Sequence, residues 1–272
     1  MSTDEKEYIT TAIWREEAEP GNPYAASRCI CAGFDVYGDL LGKVSIAEYL
    51  FLLFKLEPPS QSQAALLNSL AVVLANPGPR DHSVRAAMNA GVGGSTAASA
   101  LMAALAVGAG NLGGGREIYK AVEAWGQCGC DLESWRNYMA SPQDEPVDVW
   151  LPMEHVPGFD PHGTACTAPV LTSLEHLAAL GDFRFLRWLR ENRLELERQA
   201  GCPLAISGVA AAAMADLELA PDQGEMLHLL LRLPGAAVHA LEQGKKGWAR
   251  YPFFANGLKL TNDPGPYQGE SQ

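Results

Sequence analysis

Glycine and proline divide this chain into a succession of helix-length segments, and that spacing is the strongest constraint on its fold. Between these breaks, apolar residues recur three and four positions apart, as on the buried face of a helix. In the segment 61–75 the recurring positions are Ala64, Leu67, Leu70, Ala71 and Leu74. Pro77 and Gly78 then end the pattern. The chain is therefore predicted to be all-α.

Capping signals mark the start of the first long helix. Ser45-Ile46-Ala47-Glu48 forms a capping box, in which the serine hydroxyl and the glutamate carboxylate satisfy backbone amides at the helix start. Pro58-Pro59 stops the apolar run that follows. Further helices are predicted at 95–110, 116–125, 132–138, 169–180, 183–198, 208–217, 221–231 and 236–243, with Asp182 as the N-cap of 183–198. At most a short β-hairpin is expected, around Cys29–Tyr37.

Two segments differ from this regular pattern. Residues 95–110 are dominated by small side chains, which let helix backbones approach closely, and they predict a central or interface helix packed on all sides. Residues 141–164 accumulate proline and acidic residues. A loop of that length in a compact helical protein is usually functional or a linker.

Charge and hydropathy exclude several classes of protein. The chain has 272 residues, of which 47% are hydrophobic, and a formal net charge of −12. Such a charge opposes binding to phosphate backbones and anionic lipids, so neither nucleic acid nor membrane is expected as a partner. No apolar run reaches the ~18 residues of a membrane-spanning helix. The acidic start has no signal-peptide pattern, so a cytoplasmic protein is expected.

The six cysteines are expected to be reduced thiols, because the chain is long and has no secretory signal. Cys29 with Cys31 and Cys128 with Cys130 form two Cys-x-Cys pairs. A soft metal is one interpretation and buried small apolar side chains are the other. Because zinc sites usually have Cys-x-x-Cys spacing, no metal site is predicted.

Four segments, in order along the chain, resemble the citrate synthase superfamily, especially its short citryl-CoA lyase branch. Residues 33–60 are similar to its opening turn, apolar helix and Pro-Ser break. Residues 76–87 resemble the run Asp-His-Gly-Pro-Arg-x-Pro-Ser, with Asn-Pro in place of Asp-His. Residues 108–117 resemble the turn Gly-x-x-His-Gly-Gly-Ala, with Leu-Gly-Gly-Gly of residues 112–115 at the His-Gly-Gly-Ala positions. Residues 204–208 and 233–242 resemble the Val-Asp-x-x-Ser-Gly and Gly-x-x-x-His-x-Leu-Glu segments.

This resemblance implies a two-domain helical fold with a ligand cleft between the domains. Residues 1–112 and 205–272 would form a large, dimerising domain, and residues 113–204 a small domain that closes over the cleft. The implied partners are a small-molecule carboxylate or acyl-CoA and a second copy of the chain, or a homologue in a hetero-oligomer. No tightly bound cofactor is implied, and a coenzyme A thioester is a possible substrate.

The catalytic positions of the family are altered in this chain. Such enzymes make or break a carbon–carbon bond through an enol or enolate, using a carboxylate and two imidazoles. The enol-stabilising histidine position holds Leu112, and the carboxylate position holds Leu204. Pro161 stands opposite the remaining histidine, and His162 is displaced by one residue.

The candidate catalytic residues are therefore His162, as acid or base, and Asp160, which would orient or tune the imidazole. An exposed loop histidine in an ordinary Asp-Pro-His turn is the alternative. Candidate substrate-binding residues are His82, Arg85, Arg250, Gly113 and Gly114. Arginine matches a carboxylate bidentately, and glycines at a helix start let a ligand approach backbone amides.

Structural alternatives accompany each of these assignments. Arg85 would instead pair with Asp81 across the first helical turn, and Arg250 would belong to a solvated charge cluster. His239, on an apolar helix, is interpreted as a core or interface histidine.

Two functions follow from the altered site. The first is a carbon–carbon lyase or acyl-CoA acyltransferase with a rearranged active site, which the cluster of polar residues at the family's site segments favours. The second is a catalytically inactive paralogue that binds acyl-CoA or serves as a partner subunit of an intact homologue.

Overall fold

A small antiparallel sheet opens the fold. A computed structural model of the protein describes residues 9–141 and 153–252. Its strands are β1 (Trp14–Glu19), β2 (Asn22–Cys31) and β3 (Phe34–Asp35), in the order β1-β2-β3. Trp14 pairs with Cys31, and Ile30 pairs with Asp35. The predicted hairpin is therefore the β2–β3 pair, and β1 extends it to a three-stranded sheet.

Ten α-helices follow within the described ranges, so the all-α prediction is confirmed. A π-helical turn, Val36–Leu40, leads into them, and a 3₁₀ turn, Trp248–Arg250, ends the described chain. The helices are α1 (Ile46–Lys55), α2 (Gln61–Leu74), α3 (His82–Val92), α4 (Ala97–Gly108), α5 (Gly115–Cys128), α6 (Leu132–Ala140), α7 (Ala168–Ala178), α8 (Arg184–Ala200), α9 (Ile206–Asp216) and α10 (Pro221–Lys246). Not one of them is both long and apolar enough to cross a membrane.

Side-chain caps explain where the first helices begin. At α1 the Ser45 Oγ accepts from the Glu48 amide, and the Glu48 carboxylate accepts from the Ser45 amide, as the capping box predicts. Ser60 and Gln63 form a second capping box at α2. Asp81 caps α3 through the amides of Ser83 and Val84.

The last helix corrects a prediction. The segments 221–231 and 236–243 were predicted as separate helices because Pro234 lies between them, yet α10 is continuous through that proline. Proline removes one helical hydrogen bond, and the Gly235 amide donates to the Ala75 carbonyl at 2.7 Å instead of within the helix. A contact distant in sequence thus holds the irregular turn.

The predicted cap of α8 is also wrong. Phe183 is the N-cap residue, and it forms no side-chain cap. Asp182 instead forms an exposed ion pair with Arg187 at 2.6 Å. Amides in the first turn of α8 donate to Asp216, at 2.9 Å from Phe185 and 2.8 Å from Leu186. A carboxylate from the end of α9 therefore caps α8.

The main hydrophobic core surrounds α9. Residues from Val209 to Met214 are fully buried there, which their small side chains permit. Trp125 of α5 packs edge-on against Trp135 and Trp188, with ring centroids 4.8 Å and 5.9 Å apart. These contacts join α5, α6, α8 and α9.

A second, alanine-rich cluster joins α3, α4 and α10. It comprises Ala87, Ala100, Ala104, Ala236 and Ala240. At its edge a Cβ on Gly91 would lie 2.3 Å from the Ala240 carbonyl oxygen, so only glycine allows this approach. Contrary to the prediction of packing on all sides, α4 leaves Met102 and Val107 exposed. One face of the helix is buried within the chain, and the other is exposed to solvent.

Candidate active-site cleft

The glycine turn between α4 and α5 is the centre of the candidate site. Gly113 has a φ of +63°, a left-handed conformation that glycine adopts without strain. A Cβ on Gly114 would lie 2.3 Å from the Gly110 carbonyl oxygen. Both positions therefore require glycine, and Leu112 just before them is 37% exposed.

A buried ion pair holds one side of this turn. The Asp81 Oδ2 pairs with Arg232 Nη2, and Arg232 Nη1 donates to the Gly113 carbonyl oxygen at 2.5 Å. Arg232 Nη1 also lies 3.0 Å from Nε2 of His228. Because Asp81 caps α3 and Arg232 belongs to α10, the pair fixes the glycine turn against both helices.

The electrostatics of this pair favour the charged forms. Burial alone would raise the pKa of Asp81, but the Arg232 guanidinium and hydrogen bonds from Ser83 and Val84 outweigh it and hold the pKa below its usual value. Burial and the adjacent Arg232 charge lower the pKa of His228 to about 3. The imidazole is therefore neutral at physiological pH, and its Nε2 can accept from Arg232.

Glu117 holds the other side of the turn. This α5 carboxylate is 1% exposed. Its Oε2 accepts from the Gly113 amide at 2.5 Å and lies 3.3 Å from His155 Nε2. Its Oε1 accepts from the Gly158 amide at 3.0 Å and from the Ser207 hydroxyl at 2.5 Å.

Two segments that the resemblance assigns to the catalytic site run side by side next to Glu117. Phe159 and Leu204 form an antiparallel bridge, and the Asp160 amide donates to the Pro203 carbonyl at 2.8 Å. A Cβ on Gly208 would lie 2.4 Å from the Gly158 carbonyl oxygen, so glycine is required for this approach. Glu117 thus contacts Gly113 and Ser207, near positions 112 and 204, and Gly158 at the start of the segment 158–161.

Leucine at two of these positions leaves no group for proton transfer there. Leu204 is 2% exposed and belongs to the main hydrophobic core. Leu112 offers only its carbonyl oxygen, which lies 2.9 Å from His82 Nε2. His82 is therefore held at the glycine turn, next to the position that the resemblance assigns to a catalytic histidine.

His162 lies in an exposed turn after Gly158. The Asp160 Oδ1 accepts from the His162 main-chain amide at 2.9 Å, so the carboxylate shapes the turn that carries the ring. A Cβ on Gly163 would meet Asp160 Oδ2 at 2.9 Å and Pro203 at 2.7 Å, which keeps the turn tight. The catalytic role of His162 and Asp160 stays a prediction.

The two candidate arginines lie at the surface. Arg85 is exposed on α3, and its Nε donates to the Pro79 carbonyl at 3.2 Å. The alternative pairing of Arg85 with Asp81 is wrong, because Asp81 pairs with Arg232. Arg250 is exposed on the 3₁₀ turn after α10. Within the described ranges neither arginine forms an ion pair, and carboxylate binding by either remains a prediction.

His239 lies closer to the site segments than its interpretation as a core residue implies. Its Nε2 lies 3.2 Å from Oδ1 of Asn76, the residue at the altered start of the segment 76–87. Its Nδ1 lies 3.7 Å from Glu242 Oε2. Together with the Gly235–Ala75 hydrogen bond, this contact fixes Asn76 against α10.

Sequence reasoning missed the residues that hold the site together: Glu117, His155, Ser207, His228 and Arg232. One signal was available in the chain. Glu117 and Arg232 are charged residues at positions that helix periodicity assigns to a buried face. Buried charges are seldom found without a partner, and such positions therefore point to a network.

The fold is that of citryl-CoA lyase. The citryl-CoA lyase from Hydrogenobacter thermophilus matches 95% of this chain and 96% of its own, with a TM-score of 0.70 and 17% identity. An ATP citrate lyase from Methanothrix soehngenii, in complex with citrate and coenzyme A, matches 96% of this chain with a TM-score of 0.70 and 16% identity. Another from Methanosaeta concilii, in complex with (3S)-citryl-CoA, matches 95% with a TM-score of 0.68 and 15% identity.

This chain covers only 43% of each ATP citrate lyase chain. Neither a family model nor a curated protein sequence matches it. At these identities the likeness establishes the architecture alone, which agrees with the helical fold that the sequence resemblance implies. The chemistry must be argued from the residues of this chain.

Proposed function

We propose that this chain is an enzyme that makes or cleaves a carbon–carbon bond of an acyl-CoA or related hydroxycarboxylic acid through an enol or enolate. The observation that carries the proposal is the likeness to citryl-CoA lyase over nearly the whole of both chains. The complexes of similar folds with citrate, coenzyme A and citryl-CoA support this ligand class.

Cleavage of such a hydroxyacyl thioester requires two proton transfers. A base removes the hydroxyl proton as the carbon–carbon bond breaks, and the electron pair of that bond becomes the enolate of the thioester, which then takes a proton at carbon. We assign these transfers to His162, in the turn shaped by Asp160. His82, Arg85 and Arg250 would bind the carboxylate of the substrate, and the turn at Gly113 and Gly114 would lie against it.

The competing function is a non-catalytic paralogue that binds acyl-CoA or pairs with an intact homologue. The observation that favours it is the pair of leucines, since neither Leu112 nor Leu204 can transfer a proton. Leu204 is moreover buried in the main hydrophobic core, so its side chain is not available to a ligand.

Binding and turnover separate these two functions. Thermal shift with citrate, coenzyme A and citryl-CoA measures binding, since a ligand of the folded state raises the apparent stability. Release of coenzyme A from citryl-CoA measures cleavage. Stabilisation with turnover supports the enzyme, whereas stabilisation without turnover supports the paralogue. No stabilisation by any of the three contradicts both the enzyme and a paralogue that binds acyl-CoA, and leaves only pairing with an intact homologue.

The role of His162 has its own test. In the enzyme, His162→Ala should lower kcat about 10²- to 10⁴-fold, the usual contribution of a positioned acid or base. His176→Ala is the matched control, because His176 is an exposed histidine on α7. Full activity in the His162 variant contradicts the assignment.

We further propose that the exposed face of α4 and α10 pairs with a second copy of the chain. Met102, Val238 and Leu241 are 60%, 56% and 63% exposed on it. Leu241 lines an apolar groove of about 380 Å³ between α3, α4 and α10, and Met102 and Val238 follow the lining residues Leu101 and Ala237. Because α4 carries no charged residue, its outer face is unusual for a surface in water.

Sedimentation velocity tests the homodimer. The wild type should sediment as a dimer, and Leu241→Glu should dissociate it by placing a charge in the contact. Leu194→Glu is the control, because Leu194 is 71% exposed on α8, away from this face. A monomeric wild type, or equal dissociation by both variants, contradicts the proposed face.

A further inference from the structure

One buried carboxylate joins three separate segments of the site. Glu117 accepts from Gly113 in the glycine turn, from Gly158 before the turn of His162, and from Ser207 at the start of α9. His155 Nε2 lies 3.3 Å from the same carboxylate. We infer that Glu117 is the positioning residue that fixes these segments relative to one another, and its part in catalysis rests on the function proposed above.

All the acceptor capacity of Glu117 is in use. A carboxylate offers about four lone-pair sites, and four donor groups from four residues surround this one. Hydrogen bonds to a charged acceptor are stronger than neutral ones, and their strength grows where water is excluded. The side chain has no spare acceptor, so a displacement of any of the three segments would break a contact.

The place of Glu117 in α5 suits this task. Gly115 is the first residue of α5, so Glu117 lies in the first helical turn, where the positive end of the helix dipole favours a carboxylate. Gly114 provides no side-chain cap. The Glu117 carboxylate reaches back to the amide of Gly113, the residue before the N-cap, and so ties the glycine turn to the first turn of the helix.

Each contact determines the position of a site residue. The Gly113 contact fixes the residue that follows Leu112. The Gly158 contact fixes the main chain two residues before Asp160, and thus the origin of the turn that carries His162. The Ser207 contact fixes the start of α9, directly after the bridge between Phe159 and Leu204. A loosened Glu117 would let the turn of His162 move relative to the glycine turn.

Glu117→Gln tests this role with little change in volume. Glutamine keeps one acceptor oxygen, but its amino group would face the backbone amide of either Gly113 or Gly158, so at least that contact should fail. Amide hydrogen exchange should rise about tenfold or more at Gly113 or Gly158, as the loss of such a bond implies. Exchange in α1 and α2 should stay within about twofold of the wild type, because local opening differs from global unfolding.

Asp216→Asn is the matched control. Asp216 is also a partly buried carboxylate that accepts two backbone amides, but it caps α8. Its variant should accelerate exchange at the start of α8 and leave Gly113 and Gly158 unchanged. Ser207→Ala, which removes a single donor, is the milder variant if Glu117→Gln fails to fold, and it should accelerate exchange at Gly158.

The functional part of the inference has a separate readout. If citryl-CoA stabilises the wild type, Glu117→Gln should weaken that binding or lower kcat about tenfold or more, while Asp216→Asn should leave both unchanged. A wild type that binds none of the ligands removes the proposed function, and hydrogen exchange then decides the positioning role alone. Unchanged exchange at Gly113 and Gly158, or a uniform rise across the chain, overturns the inference. If the wild type binds citryl-CoA, local loosening with neither weaker binding nor a lower kcat overturns it as well.

Discussion

The glycine turn at Gly113 is held from two sides, and the two sides use different physics. On one side Arg232, paired with the acceptor Asp81, donates to the Gly113 carbonyl, so opposite charges compensate each other within hydrogen-bonding distance. On the other, Glu117 accepts from the Gly113 amide and gathers neutral donors from two further segments. The first is an ion pair between helices, and the second is a hydrogen-bonded junction between loops.

This difference teaches what each side contributes. The ion pair joins α3 and α10, which already pack through the alanine-rich cluster, and its loss leaves a buried charge uncompensated. Within the described part of the chain, the segments that the junction joins pair regularly only through the bridge between Phe159 and Leu204. We therefore expect the ion pair to dominate global stability and the junction to dominate the local geometry of the site.

Removal of one charge from the ion pair should have the largest effect on stability. Asp81→Ala leaves the Arg232 guanidinium buried without its partner and deletes the cap of α3. Breaking a buried pair in this way costs about 3–5 kcal/mol. The free energy of unfolding from urea titration measures it.

Asp182→Ala provides the control for that measurement. Asp182 pairs with Arg187 at the surface, where an ion pair contributes only about 0–1 kcal/mol. Similar losses in the two variants would show that the Asp81–Arg232 pair is not specially important.

Shape rather than charge should set the second-largest effect. In Gly208→Ala the added Cβ would lie 2.4 Å from the Gly158 carbonyl oxygen and 2.8 Å from Leu204 Cδ1. Overpacking of this kind costs about 1–3 kcal/mol, and here it would separate the two segments next to Glu117. Thermal unfolding and hydrogen exchange at Gly158 measure the two consequences.

Gly126→Ala should have the opposite sign. Gly126 lies inside α5, and nothing lies within 4 Å of its added Cβ. Alanine there should stabilise the helix by about 0.5–1 kcal/mol. A destabilised Gly126 variant would contradict the packing of α5, and a harmless Gly208 variant would contradict the close approach at Gly158.

The pH dependence of the free energy of unfolding tests the charge pairing of Asp81 with Arg232. The pKa of Asp81 is lowered in the folded state, so its ionisation stabilises the protein above the ordinary carboxyl pKa of ~3.9. As the pH falls through that value and then through the lowered folded value, this stability is lost. The difference in stability between the wild type and Asp81→Asn should therefore narrow on acidification.

Asp216 should behave in the opposite way. Burial raises its pKa despite the hydrogen bonds from Phe185 and Leu186, so the folded state takes up the proton first as the pH falls. Its contribution is present at low pH and is lost as the pH rises through the raised value. Asp216→Asn should remove that contribution, and urea titrations across the acid range test both signs.

A constant difference between the wild type and Asp81→Asn contradicts the charge pairing.

Local signals explain how much of this structure the sequence predicts. The start of α1 is readable because Ser45 and Glu48 lie three residues apart and satisfy each other. The cap of α8 cannot be predicted from the local sequence, because Asp216 lies about thirty residues from the amides that donate hydrogen bonds to it. Pro234 predicts a helix break by itself. The contact that accompanies the continuous helix, from the Gly235 amide to the Ala75 carbonyl, is still more distant in sequence and leaves no local signal.

The same distinction applies to the site. The altered positions Leu112 and Leu204 follow from motif resemblance, since each lies inside a quoted segment. The donors around Glu117 come from positions 113, 155, 158 and 207, and only the tertiary fold brings them together. Motifs thus locate the segments that form the candidate site, whereas long-range polar contacts hold those segments together.

The smallest expected effect concerns the third contact with the glycine turn. His82 Nε2 donates to the Leu112 carbonyl at 2.9 Å, but His82 is exposed, so water can replace it. His82→Ala should cost only about 0.5–1.5 kcal/mol, the net value of an ordinary hydrogen bond. His176→Ala should stay within about 0.5 kcal/mol of the wild type, as a surface substitution does. If His82→Ala destabilises the protein as much as Asp81→Ala does, burial does not explain why the Asp81–Arg232 contact should be stronger than the His82–Leu112 contact. The expectation that the buried ion pair dominates global stability would then lose its physical basis.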